Sequence, residues 1–187
     1  MATNVVQIVI AGEGGQGVQS VANILSEAAY HKGKQVLYIP NFGVEQRGGV
    51  SVAFLQISDE PISTMKFRKA DIVIALSGRA VARTKQYSDE RTTYVYDTSV
   101  DAKPEDFPTV YKKLMALPAM EIVKTEFHPR VLNIFVMGAV IGATHVVDVD
   151  AAKEALEGKL GAKFEKDPTL RDLNFGALER GLHAVNA

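Results

Sequence analysis

The run Ile8-Val9-Ile10-Ala11 ends in Gly12-Glu13-Gly14-Gly15-Gln16-Gly17, four glycines in six residues, and no other stretch limits the fold so strongly. Aliphatic residues followed by glycines predict a buried strand entering a tight turn, because glycine alone takes positive φ without a Cβ penalty. From Val18 the apolar period changes. Val18, Val21, Ala22, Leu25, Ala28 and Ala29 follow the spacing of a helix with one buried face. Strand, glycine turn and helix, in that order, open an α/β fold. The turn aims backbone N–H groups and the positive end of the helix dipole at one point, where an anion or a carbonyl oxygen can sit.

Gly12, Gly14 and Gly17 also satisfy G-x-G-x-x-G, the dinucleotide fingerprint. Such a site wants an Asp or Glu at the end of the second strand to hold a ribose. Here that strand, Gln35 to Ile39, runs into Pro40-Asn41-Phe42 and carries no carboxylate; Glu45 lies several residues into a loop. A nicotinamide or flavin site and a glycine turn needed only for helix packing both stay open on these residues.

Further along, Asn41 to Gly49 is a polar loop with three glycines, and Ser51 to Ile57 reads as a strand before the turn Ser58-Asp59-Glu60-Pro61. Too few residues separate Ile39 from Ser51 for a crossover helix, so this strand is expected to run antiparallel or lie at an edge. Ala70 to Leu76 and Thr93 to Asp97 are further buried strands, and Val110 to Leu117 reads as another. The predicted fold is one Rossmann-like, three-layer α/β domain over residues 1–187, with a mixed, mostly parallel sheet. Loops at Gly12 to Gly17, Asn41 to Gly49, Ser77 to Arg79 and Asp97 to Ser99 should meet at the carboxyl ends of its strands. Arg130 to Ala143 is apolar nearly all round, an enclosed helix, and its Gly138 and Gly142 would let a neighbour approach closely. Asp148 or Asp150 should cap the next helix, and Asp167-Pro168 should start the last.

Composition excludes several chemistries. With no cysteine among 187 residues, this sequence offers no disulfide, thiolate metal site, cysteine nucleophile or ordinary iron–sulfur ligation. A net charge of −1 gives no footprint for nucleic acid or an anionic membrane. The start lacks a basic segment of the signal-peptide kind, so a cytoplasmic chain is the expectation. His31, His128, His145 and His183 lack metal spacing, and Ser51 and Ser77 lack a nearby base. Glu45 and Asp97 are carboxylates able to take protons. Arg47-Gly48-Gly49 can present a planar guanidinium to a phosphate or carboxylate; alternatively Arg47 pairs with Glu45 or Glu13. No complete catalytic set emerges, and no metal site.

Gly12 to Val18, Asn41 to Gly49 and Ile57 to Ile62 together resemble the gamma subunit of 2-oxoacid:ferredoxin oxidoreductases, and Ala70 to Ala75 and Asn133 to Ala139 extend the resemblance. It implies a Rossmann-like subunit of a complex that oxidatively decarboxylates a 2-oxoacid to its acyl-CoA, with 2-oxoglutarate slightly favoured, and passes electrons to ferredoxin or flavodoxin. In that family thiamine diphosphate and iron–sulfur clusters are carried largely by alpha, beta and ferredoxin-like subunits, so this chain is expected to hold no cofactor alone. The resemblance makes Gly12, Gly14, Gly15, Gln16, Gly17, Glu45, Arg47, Gly48 and Gly49 a binding or interface region near coenzyme A, without a catalytic residue among them. The stretch Val44-Glu45-Gln46-Arg47 departs from a common form that has proline before the glutamate and methionine after it, which leaves the substrate subclass open.

Overall fold

The structure, a computed structural model, describes residues 5–41 and 49–184. Its frame is a six-stranded sheet in the order β2-β3-β1-β4-β5-β6. The strands are β1 (Val6–Glu13), β2 (Gln35–Asn41), β3 (Val50–Ser58), β4 (Ile72–Ala75), β5 (Thr93–Asp97) and β6 (Lys113–Leu117). Pairing is parallel from β1 through β6, and β3 runs antiparallel to both β1 and β2. The mixed, mostly parallel sheet matches expectation. The placing of β3 is sharper than expected: it lies inside the sheet, with β2 at the edge. Its side chains explain this, since Val50, Val52, Ala53, Leu55 and Ile57 are buried on alternating faces and need cover on both.

Helices α1 (Val18–His31), α4 (Leu132–Thr144), α5 (Val149–Lys166) and α6 (Thr169–Ala184) build the core with Ile8, Ile10, Leu55, Ile74 and Val95 of the sheet. The short α2 (Gly78–Thr84) packs on the other face, with Val9, Ala11, Val73, Ala75 and Tyr94. Helix α1 ends in a Schellman motif: Lys34 N–H donates to Ala29 O at 3.1 Å, Gly33 N–H to Tyr30 O at 2.9 Å, and Gly33 takes φ 79°.

Several boundaries moved. The strand expected from Val110 begins at Lys113, and the ambiguous stretch from Pro118 contains α3 (Ala119–Glu126). Asp148 rather than Asp150 caps α5, accepting from Asp150 N at 2.9 Å and Ala151 N at 3.3 Å. The enclosed α4 is covered by α6, which meets it backbone to backbone through Gly138, Gly142 and Gly181. No helix among the described residues is long and apolar enough to cross a membrane.

Tyr94 ties the thinner layer down. Its hydroxyl donates to Val81 O at 3.2 Å and shares a 2.8 Å hydrogen bond with Thr84 Oγ1. Burial pushes its phenol from 10.0 up to about 12, with the Thr84 contact pulling the other way. A raised folded value leaves stability intact below the ordinary tyrosine range and removes it as pH rises through the folded one. Unfolding in urea should therefore show a loss of roughly 2–3 kcal/mol across that window, absent in Tyr94→Phe.

Candidate functional site

The turn after β1 is built by its own glycines. Gln16 N–H donates to Glu13 O at 3.1 Å, and Gly15, the third residue of this four-residue turn, takes φ 91°, which a side chain would resist. Gly17 precedes α1 with φ 73°, and a Cβ there would lie 2.3 Å from Asn133 Nδ2. A Cβ on Gly12 would lie 2.8 Å from Gln16 Oε1 and 3.2 Å from Leu76 Cβ. Internal structure thus demands glycine at positions 12, 15 and 17. Gly14 differs: it has no positive φ, and a Cβ there would meet nothing within 4 Å. Gly14 and Gly15 are both exposed.

Gln16, one of the positions expected in the binding or interface region, directs its side-chain amide into the turn. Oε1 accepts from Glu13 N at 2.6 Å and Nε2 donates to Leu76 O at 2.8 Å, so the amide clamps the turn to the end of β4. Gln16→Leu leaves that N–H and that carbonyl unpaired and should cost about 2 kcal/mol, read by urea unfolding. Gln16→Glu keeps the acceptor, loses the donor, and should fall between.

Among the described residues no side chain caps α1, and no acidic residue stands in its first turn. No such side chain competes with an anion for the N–H groups of that turn. Glu13 is the carboxylate within the turn itself; the hydrogen bond from Arg79 Nε at 2.9 Å holds it below the usual glutamate range, burial pulling the other way. Both partners are well exposed, so the pair adds little stability, but it offsets the charge beside the turn. Ser77 Oγ caps α2, accepting from Ala80 N at 3.2 Å, and Ser51 Oγ accepts from Gln19 Nε2 at 2.7 Å. Neither is set up as a nucleophile.

Both carboxylate oxygens of Asp97 are engaged by the scaffold. The residue is 2% exposed; Oδ1 accepts from Ser99 N at 2.8 Å and from the Ser99 hydroxyl, and Oδ2 accepts from Met120 N at 2.6 Å. His128 Nδ1 likewise accepts from Arg130 N at 3.1 Å. Among the described residues no group of three His, Cys, Asp or Glu could hold a metal ion.

The turn, Leu76 to Arg79, and the Asp97 loop converge as expected; a Cβ on Gly78 would lie 1.8 Å from Asp101 O. Gly49 lies just before β3, whose Val50 pairs with Glu13. Glu45, Arg47 and Gly48 lie outside the described residues. Two supporting residues were missed: Arg79, and Asn133, which abuts Gly17. Asn133 was detectable as the one polar side chain between Val131 and Ala143.

A mostly parallel sheet with a glycine turn leading into its first helix defines a Rossmann-like α/β protein, a class that binds ligands at the carboxyl ends of its strands. Residues 7–184 match the pyruvate ferredoxin/flavodoxin oxidoreductase family, and the chain belongs to it as a gamma subunit of the 2-oxoacid:ferredoxin oxidoreductases. It is 35% identical over 161 residues to the pyruvate/ketoisovalerate oxidoreductases common subunit gamma of Pyrococcus furiosus, covering 81% of this chain and 87% of that one. It is 34% identical over 154 residues to 2-oxoglutarate synthase subunit KorC of Methanocaldococcus jannaschii, covering 80% and 81%. The keto/oxoacid ferredoxin oxidoreductase gamma subunit of Geobacter sulfurreducens shares the fold with a TM-score of 0.79 and 26% identity, over 98% of this chain and 97% of that one. The 2-oxoglutarate:ferredoxin oxidoreductase of Magnetococcus marinus, solved with 2-oxoglutarate, coenzyme A and succinyl-CoA bound, matches with a TM-score of 0.86 at 24% identity. The match covers 97% of this chain but 31% of that longer one, a likeness of fold.

Proposed function

We propose that this subunit supports coenzyme A-dependent oxidative decarboxylation of 2-oxoglutarate or a related 2-oxoacid, presenting its glycine turn and Arg47 loop to coenzyme A in the assembled complex. The observation that carries this reading is the uncapped start of α1 beside the open Gly14 and Gly15, whose N–H groups suit a phosphate. The other assigned positions belong with it: Gly12, Gln16 and Gly17 hold the turn in shape, while Glu45, Arg47, Gly48 and Gly49 are assigned to the same binding region.

Thiamine diphosphate and iron–sulfur clusters would supply the carbon and electron-transfer chemistry from alpha, beta and ferredoxin-like partners, with ferredoxin or flavodoxin as acceptor. A chain without cysteine fits that division. Its own residues would bind and orient an anion and keep a neutralised Glu13–Arg79 pair beside it. Relatives named for pyruvate and for 2-oxoglutarate are similarly close, so the acyl group is a question for assay.

The test begins with the complex purified through a mild tag on this chain from its own host. Partner chains with iron, sulfide and thiamine diphosphate, and 2-oxoacid oxidation requiring coenzyme A, are expected. A lone chain binding a nicotinamide or flavin nucleotide would overturn the reading. Arg47→Ala should then raise the KM for coenzyme A about tenfold with the complex intact. Dissociation of the complex would make the loop an assembly contact.

A further inference from the structure

At the end of the sheet away from the glycine turn, where β1, β4 and β5 begin and β3 finishes, lies a cleft of about 550 Å³. The rise of the eight-residue β1 separates the two ends by about 23 Å. Val6, Ile57, Ile72 and Val146 supply aliphatic lining. The charged lining is Lys34, Arg91 and Lys112 against Asp59 and Asp71, a local positive excess in a chain whose net charge is −1.

Both carboxylates are already matched. Asp59 pairs with Lys34. Asp71 Oδ2 accepts from Gln7 N at 2.7 Å, and its Oδ1 lies 3.5 Å from Arg91 Nη1. Arg91 is held again by Asp89 Oδ2 and by Lys69 O, each at 3.2 Å, so its guanidinium is fixed although half of it is exposed. Lys112 differs. Its backbone N–H is tied to Thr92 O at 2.9 Å, but its ammonium has no partner among the described residues. The cleft therefore presents a cation without a counter-charge on an anchored backbone.

Helix α4 ends at the same place. His145 takes φ 51° there and donates its N–H to Ile141 O at 2.8 Å, and residues 143–146 line the cleft. The last carbonyls of the helix have no following turn to bond, and backbone N–H groups of another chain would satisfy them.

The adjoining surface decides between a small anion and a protein. Val110 and Tyr111, directly before Lys112, are 44% and 42% exposed, two of the four most exposed large apolar side chains among the described residues. Ser88 Oγ donates to Val110 O at 2.6 Å, so this apolar shoulder is as firmly placed as the cation beside it. A free carboxylate would use the cation and leave the shoulder wet. A fixed apolar pair next to an unmatched charge is the composition of a subunit interface, and a gamma subunit has neighbours to supply the other half.

We infer that this cleft and its shoulder dock a neighbouring subunit of the complex through an acidic, extended segment. A carboxylate of that segment meets Lys112, an apolar side chain covers Val110 and Tyr111, and its backbone N–H groups meet the end of α4. The assignment rests on membership of the complex and not on the coenzyme A reading.

The test uses the complex purified through a tag on this chain, with its sequence unaltered. Carbodiimide joins an ammonium to a carboxylate in direct contact, so it should link Lys112 to an Asp or Glu of another subunit, identified by mass spectrometry of the digest. Acetylation with one isotope before denaturation and another after it should show Lys112 about tenfold less reactive in the native complex. Lys112→Glu sets like charges together and should speed loss of the neighbouring subunit about tenfold, Lys112→Gln less. Native Lys112 as reactive as the denatured residue, or linked only to carboxylates of its own chain, would overturn the assignment. So would an unchanged dissociation rate in Lys112→Glu, or a chain that purifies alone. Protection of Lys112 that appears only when citrate is added would overturn it too, in favour of a small-anion site.

Discussion

Replacing Gly181 by alanine is expected to cost about 4 kcal/mol of unfolding free energy. The added Cβ would stand 2.1 Å from Phe135 O and 3.0 Å from Ala139 N. Both are backbone atoms of α4, so no side-chain rotation relieves the overlap, and the helices must separate along their length. Gly138 faces the same problem from the other side, its Cβ 2.2 Å from Leu178 O, and Gly142 lies 2.5 Å from Leu182 O. Alanine's better helix propensity returns about 1 kcal/mol, already included in that figure. Gly158 supplies the control, because it lies inside α5 with nothing within 4 Å of its Cβ position. Gly158→Ala should stabilise by about 0.5–1 kcal/mol. Urea unfolding of the two variants decides the matter. A Gly181→Ala cost below about 1 kcal/mol would mean that α6 can move off α4 at little expense.

The second large effect is expected at Asp97, where alanine should cost about 3 kcal/mol because its buried carboxylate is the acceptor for three donors. These are Ser99 N, the Ser99 hydroxyl and Met120 N, the last in the first turn of α3, so a helix loses its cap as well. Asp97→Asn separates charge from geometry. The amide retains one acceptor oxygen but turns an N–H₂ toward a backbone N–H, and it should cost nearly as much as alanine. In the assembled enzyme neither variant should move the pH profile of turnover, since both carboxylate oxygens serve the scaffold. A displaced pH optimum in Asp97→Asn would restore Asp97 as a proton-transfer group and refute this account.

Much of the architecture was legible because it rests on local pattern. The period change at Val18, the apolar run from Val131 and the caps at Asp148 and Asp167 are properties of short segments, and each produced the expected element. The close approach allowed by Gly138 and Gly142 was also readable, though not which helix would use it. Side-chain direction at the turn was not. Gln16 stands between glycines that look like a ligand cradle, yet its amide turns inward because Leu76, sixty residues away, offers a buried carbonyl. Asp97 looks like a candidate base at a strand end until Met120 arrives from a later helix.

The sequence by itself determined that this chain is an α/β protein with a glycine turn feeding its first helix, that no thiolate chemistry can reside on it, and which loops stand at the strands' carboxyl ends. Glycine φ freedom, hydrophobic period and residue inventory are local properties, and they act wherever the segment lies. Only the tertiary structure decided that β3 lies inside the sheet, that Glu13 answers to Arg79, and that α6 seats on α4. It alone gathered Asp71, Arg91, Lys112 and His145 around one cleft. Those outcomes depend on which distant segments share a sheet face or a helix groove, and the burial of the whole chain, not the preference of any one stretch, selects them.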